Sequence, residues 1–397
     1  MKALLRASLL TGTALALLGC GGSSSGSGSS SSSSAASSGS SGGGDGGGGG
    51  ADPGDPLTFD VTKPGPYTCG HRELSTTYTP PGGIPSRTIP VHVWYPSHST
   101  DGPQTIYHAV FPDSLAHDDV PLAKTDWKSG MPVLVHSHGH EGFAGNSARL
   151  MCHFASHGWL AVAPEHVGNT ISDTPPVRPL ALYVERPLDV TKSLDLVAAL
   201  PKDDELSGKA DMGHVAMSGH SFGSYTAWVV GGGSLDPAAF AASCQSGDIA
   251  DCSDDLKAVL ATDLSEKRAQ VIIPMAGDAD GYVHDAGFDA AKVPVLMMSG
   301  SLNPVGDDVI FAGSKKLDLT WVDVEGGCHQ LFGLGNTEYG DASCAALSDE
   351  DGFALVNPWV VAYARYHVLA DRSAQVKGLV EGTTSISPKV DFEHEGP

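Results

Sequence analysis

Basic side chains are scarce in this chain: 23 Lys and Arg stand against 46 Asp and Glu, a formal net charge of −23. A nucleic-acid backbone or an anionic membrane surface would be repelled, which excludes polyanions as partners. Long apolar runs are missing too. The best of them, Ala7 to Leu18, falls short of the ~20 residues that a spanning helix needs. No internal repeat is present, so a solenoid or propeller is not indicated. What is left after a low-complexity start is roughly 340 residues, which suits one large α/β domain better than two small ones.

The N-terminus speaks to location. Lys2 and Arg6 precede the Ala7–Leu18 stretch, the pattern of a secretory signal over residues 1–19. Its end, Leu17, Leu18, Gly19, Cys20, resembles the lipobox of bacterial lipoproteins. That resemblance implies cleavage before Cys20, a lipid on that cysteine, and an exported protein anchored to the bacterial cell envelope. An ordinary signal peptide with a chance cysteine is the alternative. Residues 20–55 are almost wholly Ser and Gly up to about Gly50 and have little to bury, so they read as a flexible tether. About 35 such residues have an r.m.s. reach of roughly 30–35 Å. The membrane is then met through the anchor only, and the folded domain is expected over residues 56–390.

With Cys20 set aside, six cysteines remain, an even number that favours disulfides in an oxidising compartment. Cys244 with Cys252 and Cys328 with Cys344 close short loops, which leaves Cys69 for Cys152.

Strands and helices alternate along the folded part. "RTIPVHVWYPS" (Arg87 to Ser97) reads as an edge or half-buried strand, and the proline-broken stretch from Thr100 to Gly130 as a surface excursion. The runs "MPVLVHS", "WLAVAPE", "HVAMSG", "QVIIPMAG", "PVLMMSG" and "LTWVDVEG" are short and continuously apolar, as strands covered on both faces are. Helical patterns lie between them. "NSARLMCHFASHG" ends in Gly158, "RPLDVTKSLDLVAAL" has Pro187 near its start, and "NPWVVAYARYHVLAD" is followed by a polar tail. This order predicts a mostly parallel, doubly wound sheet with helices on both faces.

The most specific stretch is "HVAMSGHSFGSYTAWVV". Within it Gly219, His220, Ser221, Phe222, Gly223 form a G-x-S-x-G between an expected strand and an expected helix, the context of a serine nucleophile held on a sharp turn. A hydroxyl needs a base to attack. In this architecture the base comes later, and His329 stands just past the last apolar run and before the last helix.

Together, "VWYP" (Val93 to Pro96), "HSHG" (His136 to Gly139), "RPLDV" (Arg186 to Val190), "GHSFG" and "HQLF" (His329 to Phe332) resemble the α/β-hydrolase superfamily. Within it they are similar to the platelet-activating-factor acetylhydrolase and dienelactone-hydrolase-like esterases. The resemblance implies an α/β-hydrolase fold and an oxyanion hole built from the backbone N–H groups of His140 and Phe222. For the triad acid it implies a carboxylate after "IIPMAG", where Asp278 leads and Asp280 follows, with Asp307 in "NPVGDD" as a third candidate. The commoner acid position after "PVLMMSG" carries Asn303, whose amide stabilises an imidazolium less well than a carboxylate.

His136, His138 and His140 alternate as ligands on one strand face would, which raises a metal reading. The spacing speaks against it, because His140 and Glu141 stand where an H-x-H-x-D-H site has Asp and His. The expectation is therefore a serine hydrolase of carboxylic esters with Ser221, His329 and Asp278 as its triad, no metal and no cofactor. Its substrate would be a small-molecule or lipid ester, and its oligomeric state is left open. Amide or peptide hydrolysis with the same residues, or a non-catalytic surface protein on this scaffold, are the alternatives.

Overall fold

A computed structural model describes residues 53–303, 305–336 and 344–396, all within one compact unit that begins at Gly49. The signal segment 1–19, Cys20 and nearly all of the tether lie outside the described residues.

Eleven strands form one sheet. They are β1 (Thr68–Tyr78), β2 (Arg87–Ser97), β3 (Gln104–Tyr107), β4 (Phe111–Asp118), β5 (Met131–Ser137), β6 (Leu160–Pro164), β7 (Ala210–His220), β8 (Ala269–Met275), β9 (Val295–Gly300), β10 (Leu319–Val324) and β11 (Val390–Glu395). Their spatial order is β11-β10-β9-β8-β7-β5-β6-β2-β1-β4-β3. From β10 through to β6 neighbouring strands run parallel, and β2 joins β6 antiparallel.

Alternation along each central strand sends side chains to opposite faces. Leu134, Ala216, Ile273 and Leu296 meet Phe154 of α1 (Ala148–Ser156) and Trp359 of α4 (Asp349–Val368) in one buried cluster. Val133, Met217, Ile272 and Val295 meet Leu194 of α2 (Ala181–Ala198) and Trp228 of α3 (Phe222–Val230) in the other. Both faces are thus covered, which is why the six central runs contain so few polar letters.

Three local expectations change. Helix α2 begins at Ala181, so Pro187 lies inside it rather than near its start. A proline there cannot bond the carbonyl four residues back, and the Tyr225 hydroxyl donates to that carbonyl, Tyr183 O, at 2.8 Å instead. The excursion from Thr100 to Gly130 contains β3 and β4, which extend the sheet edge. Buried Thr105 and Tyr107 alternate there with exposed neighbours, and Trp94 Nε1 donates to the Tyr107 hydroxyl at 2.9 Å. The polar tail beyond α4 forms α5 (Ala374–Val380) and then β11, which pairs antiparallel with β10 and lays Phe392 on Trp359.

The chain order reverses between β5 and β7, with β6 on one side and β8 on the other. Such a switch point leaves a crevice beyond the carboxyl ends of the strands. His136 and Ser137 of β5 pair there with Ser218 and Gly219 of β7, so the two following loops start side by side.

Candidate active site

Ser221 follows β7 directly and takes φ 57° and ψ −118°, a strained conformation for any residue but glycine. Its own N–H donates to Met275 O at 2.9 Å, which pins the turn to the end of β8. The two glycines of the motif are required by space. A Cβ at Gly219 would lie 2.0 Å from Gly223 O, and one at Gly223 would lie 1.9 Å from Ser137 O. Strain collects around this point: Glu141, Ala276, Ala279 and Asp280, in the loops after β5 and β8, also have φ between 49° and 57°.

His329 opens a short 3-10 turn after β10 and brings Nε2 to 2.8 Å from Ser221 Oγ. Burial lowers the pKa of its imidazole, so the neutral, proton-accepting form is favoured at neutral pH. Its backbone is held from two sides. His220 Nε2–H donates to His329 O at 2.9 Å, and buried Asn336 accepts Cys328 N–H at 2.6 Å while donating to Cys344 O at 2.7 Å. The Cys328–Cys344 disulfide closes the same loop. Replacing both cysteines with Ala is expected to lower the unfolding free energy by ~3 kcal/mol, the loop-entropy value for a bridge of this span, as read by denaturant titration. An unchanged midpoint would mean that Asn336 alone sets the loop.

The third group at the imidazole is Asn303, whose Nδ2 lies 3.0 Å from His329 Nδ1. When Nε2 accepts the serine proton, Nδ1 carries the ring hydrogen and must face an acceptor. Turning the Asn303 amide by 180° supplies it, with Oδ1 accepting Nδ1–H. Ser, His and Asn then stand in line, as Cys, His and Asn do in papain-like proteases.

The loop after β5 runs against Ser221, since a Cβ at Gly139 would lie 3.1 Å from Ser221 Cβ. Phe222 N–H stands at the first position of α3, where the helix itself offers no acceptor. The His140 ring stands edge-on to the Phe222 ring with centroids 6.2 Å apart.

Residues 120–244 match the family model for chlorophyllase. A ferulic acid esterase from Streptomyces cinnamoneus superposes with a TM-score of 0.56 at 16% identity, covering 82% of this chain and 96% of its own. No curated protein matches the chain. The fold is that of the α/β-hydrolases.

In this fold the carboxylates expected at the imidazole stand elsewhere. Asp278 caps a 3-10 turn by accepting Asp280 N–H at 3.1 Å, and it lines a cavity of about 260 Å³ with Val309 and Phe288. Asp280 is engaged elsewhere, accepting Arg178 Nη1 at 2.7 Å and the Tyr183 hydroxyl at 2.8 Å. Asp307 is buried in the first turn of a short helix (Asp307–Gly313), where burial pushes its carboxyl up to about 8. None of the three bonds to His329 among the described residues, because the loop after β9 reaches the imidazole first. His136, His138 and His140 each hold a separate partner: Ser218 Oγ at 2.9 Å, Gly139 O at 2.8 Å and Asn169 Nδ2 at 2.6 Å. No three His, Cys, Asp or Glu side chains among the described residues converge as a metal would require. His220 and Asn336 were not singled out from sequence. His220 at least sits inside the G-x-S-x-G, whereas nothing local marks Asn336.

Proposed function

We propose that this protein is a serine hydrolase that cleaves carboxylic esters through an acyl-enzyme on Ser221. The 2.8 Å approach of His329 Nε2 to an elbow serine carries the reading. Oγ attacks the acyl carbon as its proton passes to Nε2, and Asn303 Oδ1 holds Nδ1–H of the resulting imidazolium. The N–H groups of His140 and Phe222 receive the negative oxygen. Collapse expels the alcohol, which takes the proton from Nε2. Water, activated by the same imidazole, then releases the acid and restores Ser221.

The matched chlorophyllase family and the ferulic acid esterase support an ester as the substrate. The three disulfides are those of a protein that folds in an oxidising, exported setting. No helix among the described residues is long and apolar enough to cross a membrane. A lipid on Cys20 would hold the domain at the cell envelope through its tether.

A fluorophosphonate probe tests the proposal: it should label Ser221, and nitrophenyl esters should turn over faster than the matching anilides. An unlabelled serine would sink the enzyme reading, and faster anilides would make the protein an amidase. The oxyanion assignment has its own test. His140→Pro removes the backbone N–H and is expected to lower kcat at least ~30-fold below His140→Ala, within the ~10²–10³-fold cost of one donor. Equal rates in the two folded variants would take His140 out of the hole.

A further inference from the structure

Arg186 lies inside α2 and is fully buried, yet no carboxylate bonds to it directly among the described residues. Its donors reach three segments around the nucleophile. Nη2 donates to Ser137 Oγ at 2.9 Å and to His138 O, at the end of β5 and in the loop beyond it. Nη1 donates to Asn169 Oδ1 at 2.6 Å in the loop after β6, and Nε donates to Thr226 Oγ1 at 3.1 Å in α3. Its guanidinium carbon also sits 4.5 Å from the centre of the Phe222 ring.

Those contacts lead to both residues assigned to the oxyanion hole. Phe222 is under the guanidinium itself. Asn169, held by Nη1, donates through Nδ2 to His140 Nδ1 at 2.6 Å. Behind the arginine a second serine, histidine and aspartate stand in line. The Ser137 hydroxyl donates to His166 Nε2 at 2.8 Å, and His166 Nδ1–H donates to Asp189 Oδ2 at 2.9 Å. Asp189 is finished by the Tyr78 hydroxyl at 2.6 Å and Arg87 Nη2 at 3.2 Å. Ser137, His166 and Asp189 have no solvent exposure, so substrate cannot reach them. Their geometry fixes the direction of the Ser137 lone pair that Arg186 uses.

Burying so many polar groups is a poor route to stability, since an apolar cluster of the same volume serves as well or better. What the network adds is orientation. We propose that Arg186 is a positioning residue for the oxyanion hole, setting the backbone donors of His140 and Phe222 relative to each other. A planar fork bonded in three directions is something lysine cannot reproduce. This inference rests on the serine-hydrolase reading above, and fluorophosphonate labelling of wild-type Ser221 checks that reading separately.

The experiment compares Arg186→Lys and Asn169→Ala with the wild-type protein, well below each variant's melting temperature. Arg186→Lys is expected to lower kcat by ~10²-fold or more, the scale of a lost oxyanion donor, with KM changed less than about threefold. Affinity for a trifluoromethyl ketone, which adds Ser221 Oγ to its carbonyl carbon and mimics the tetrahedral state, should fall by the same factor as kcat/KM. Affinity for the product carboxylic acid should not change. Asn169→Ala keeps the arginine and cuts only the arm to His140, so a loss of about tenfold in kcat is expected, a fraction of one donor. Should Arg186→Lys fail to fold, Asn169→Ala decides. Full kcat in either folded variant, or equal losses of affinity for the ketone and the product acid, would overturn the proposal.

Discussion

Changing Ser221 to Ala is expected to lower kcat for ester hydrolysis by ~10⁶-fold, the cost measured for removing the serine of a protease triad. The effect is this large because the acyl-enzyme route closes altogether and only binding and the oxyanion donors are left. Folding should be untouched. Among the described residues the side chain's one hydrogen bond is to His329 Nε2, and alanine at φ 57° carries the same backbone strain that serine does. Steady-state hydrolysis together with a melting curve checks both halves. More than a few per cent of residual activity in folded protein would move the nucleophile elsewhere.

The second large effect is expected at Asn303. Asn303→Ala should lose ~10²-fold or more in kcat, approaching the ~10⁴-fold cost of spoiling a triad acid, while Asp278→Ala should stay within about threefold. The pH profile gives an independent reading. The proposed mechanism requires neutral His329, so kcat/KM is expected to rise with pH through the imidazole pKa, and burial holds that pKa below the ordinary 6.5 with no carboxylate to raise it. Asn303→Asp puts a negative charge at Nδ1, favours the imidazolium and must move the acid limb upward. If Asp278→Ala is the variant that collapses the rate, the acid is Asp278 and the loop after β8 must swing to reach the base.

These residues also show which features a sequence makes legible. Ser221 is marked by its own neighbours, because an elbow needs glycines on both sides and a strand before it. The six central strands were legible from continuous apolar runs, which burial on both faces imposes. Asn303 is passed over by its letter, because an amide stabilises an imidazolium less well than a carboxylate does. The letter describes chemistry, but only the path of the loop after β9 decides which group arrives at Nδ1. Arg186 and Asp189 could be quoted as a pattern, yet nothing in their spacing reveals that they meet Ser137 and His166 from distant parts of the chain. The edge strands β3 and β4 are illegible for another reason. They are short and interrupted by Pro112, so no window shows their period.

The closing strand β11 bears on how the protein behaves in a crowd. Without it, Leu319–Val324 of β10 would offer a row of bare amides and carbonyls to any extended chain, the template from which sheets grow between molecules. The strand that covers this edge reads Val390, Asp391, Phe392, Glu393, His394, Glu395, with the carboxylates of Asp391 and Glu393 exposed. Two copies meeting rim to rim would bring like charges together. Where copies are crowded, that acidic border opposes their joining edge to edge.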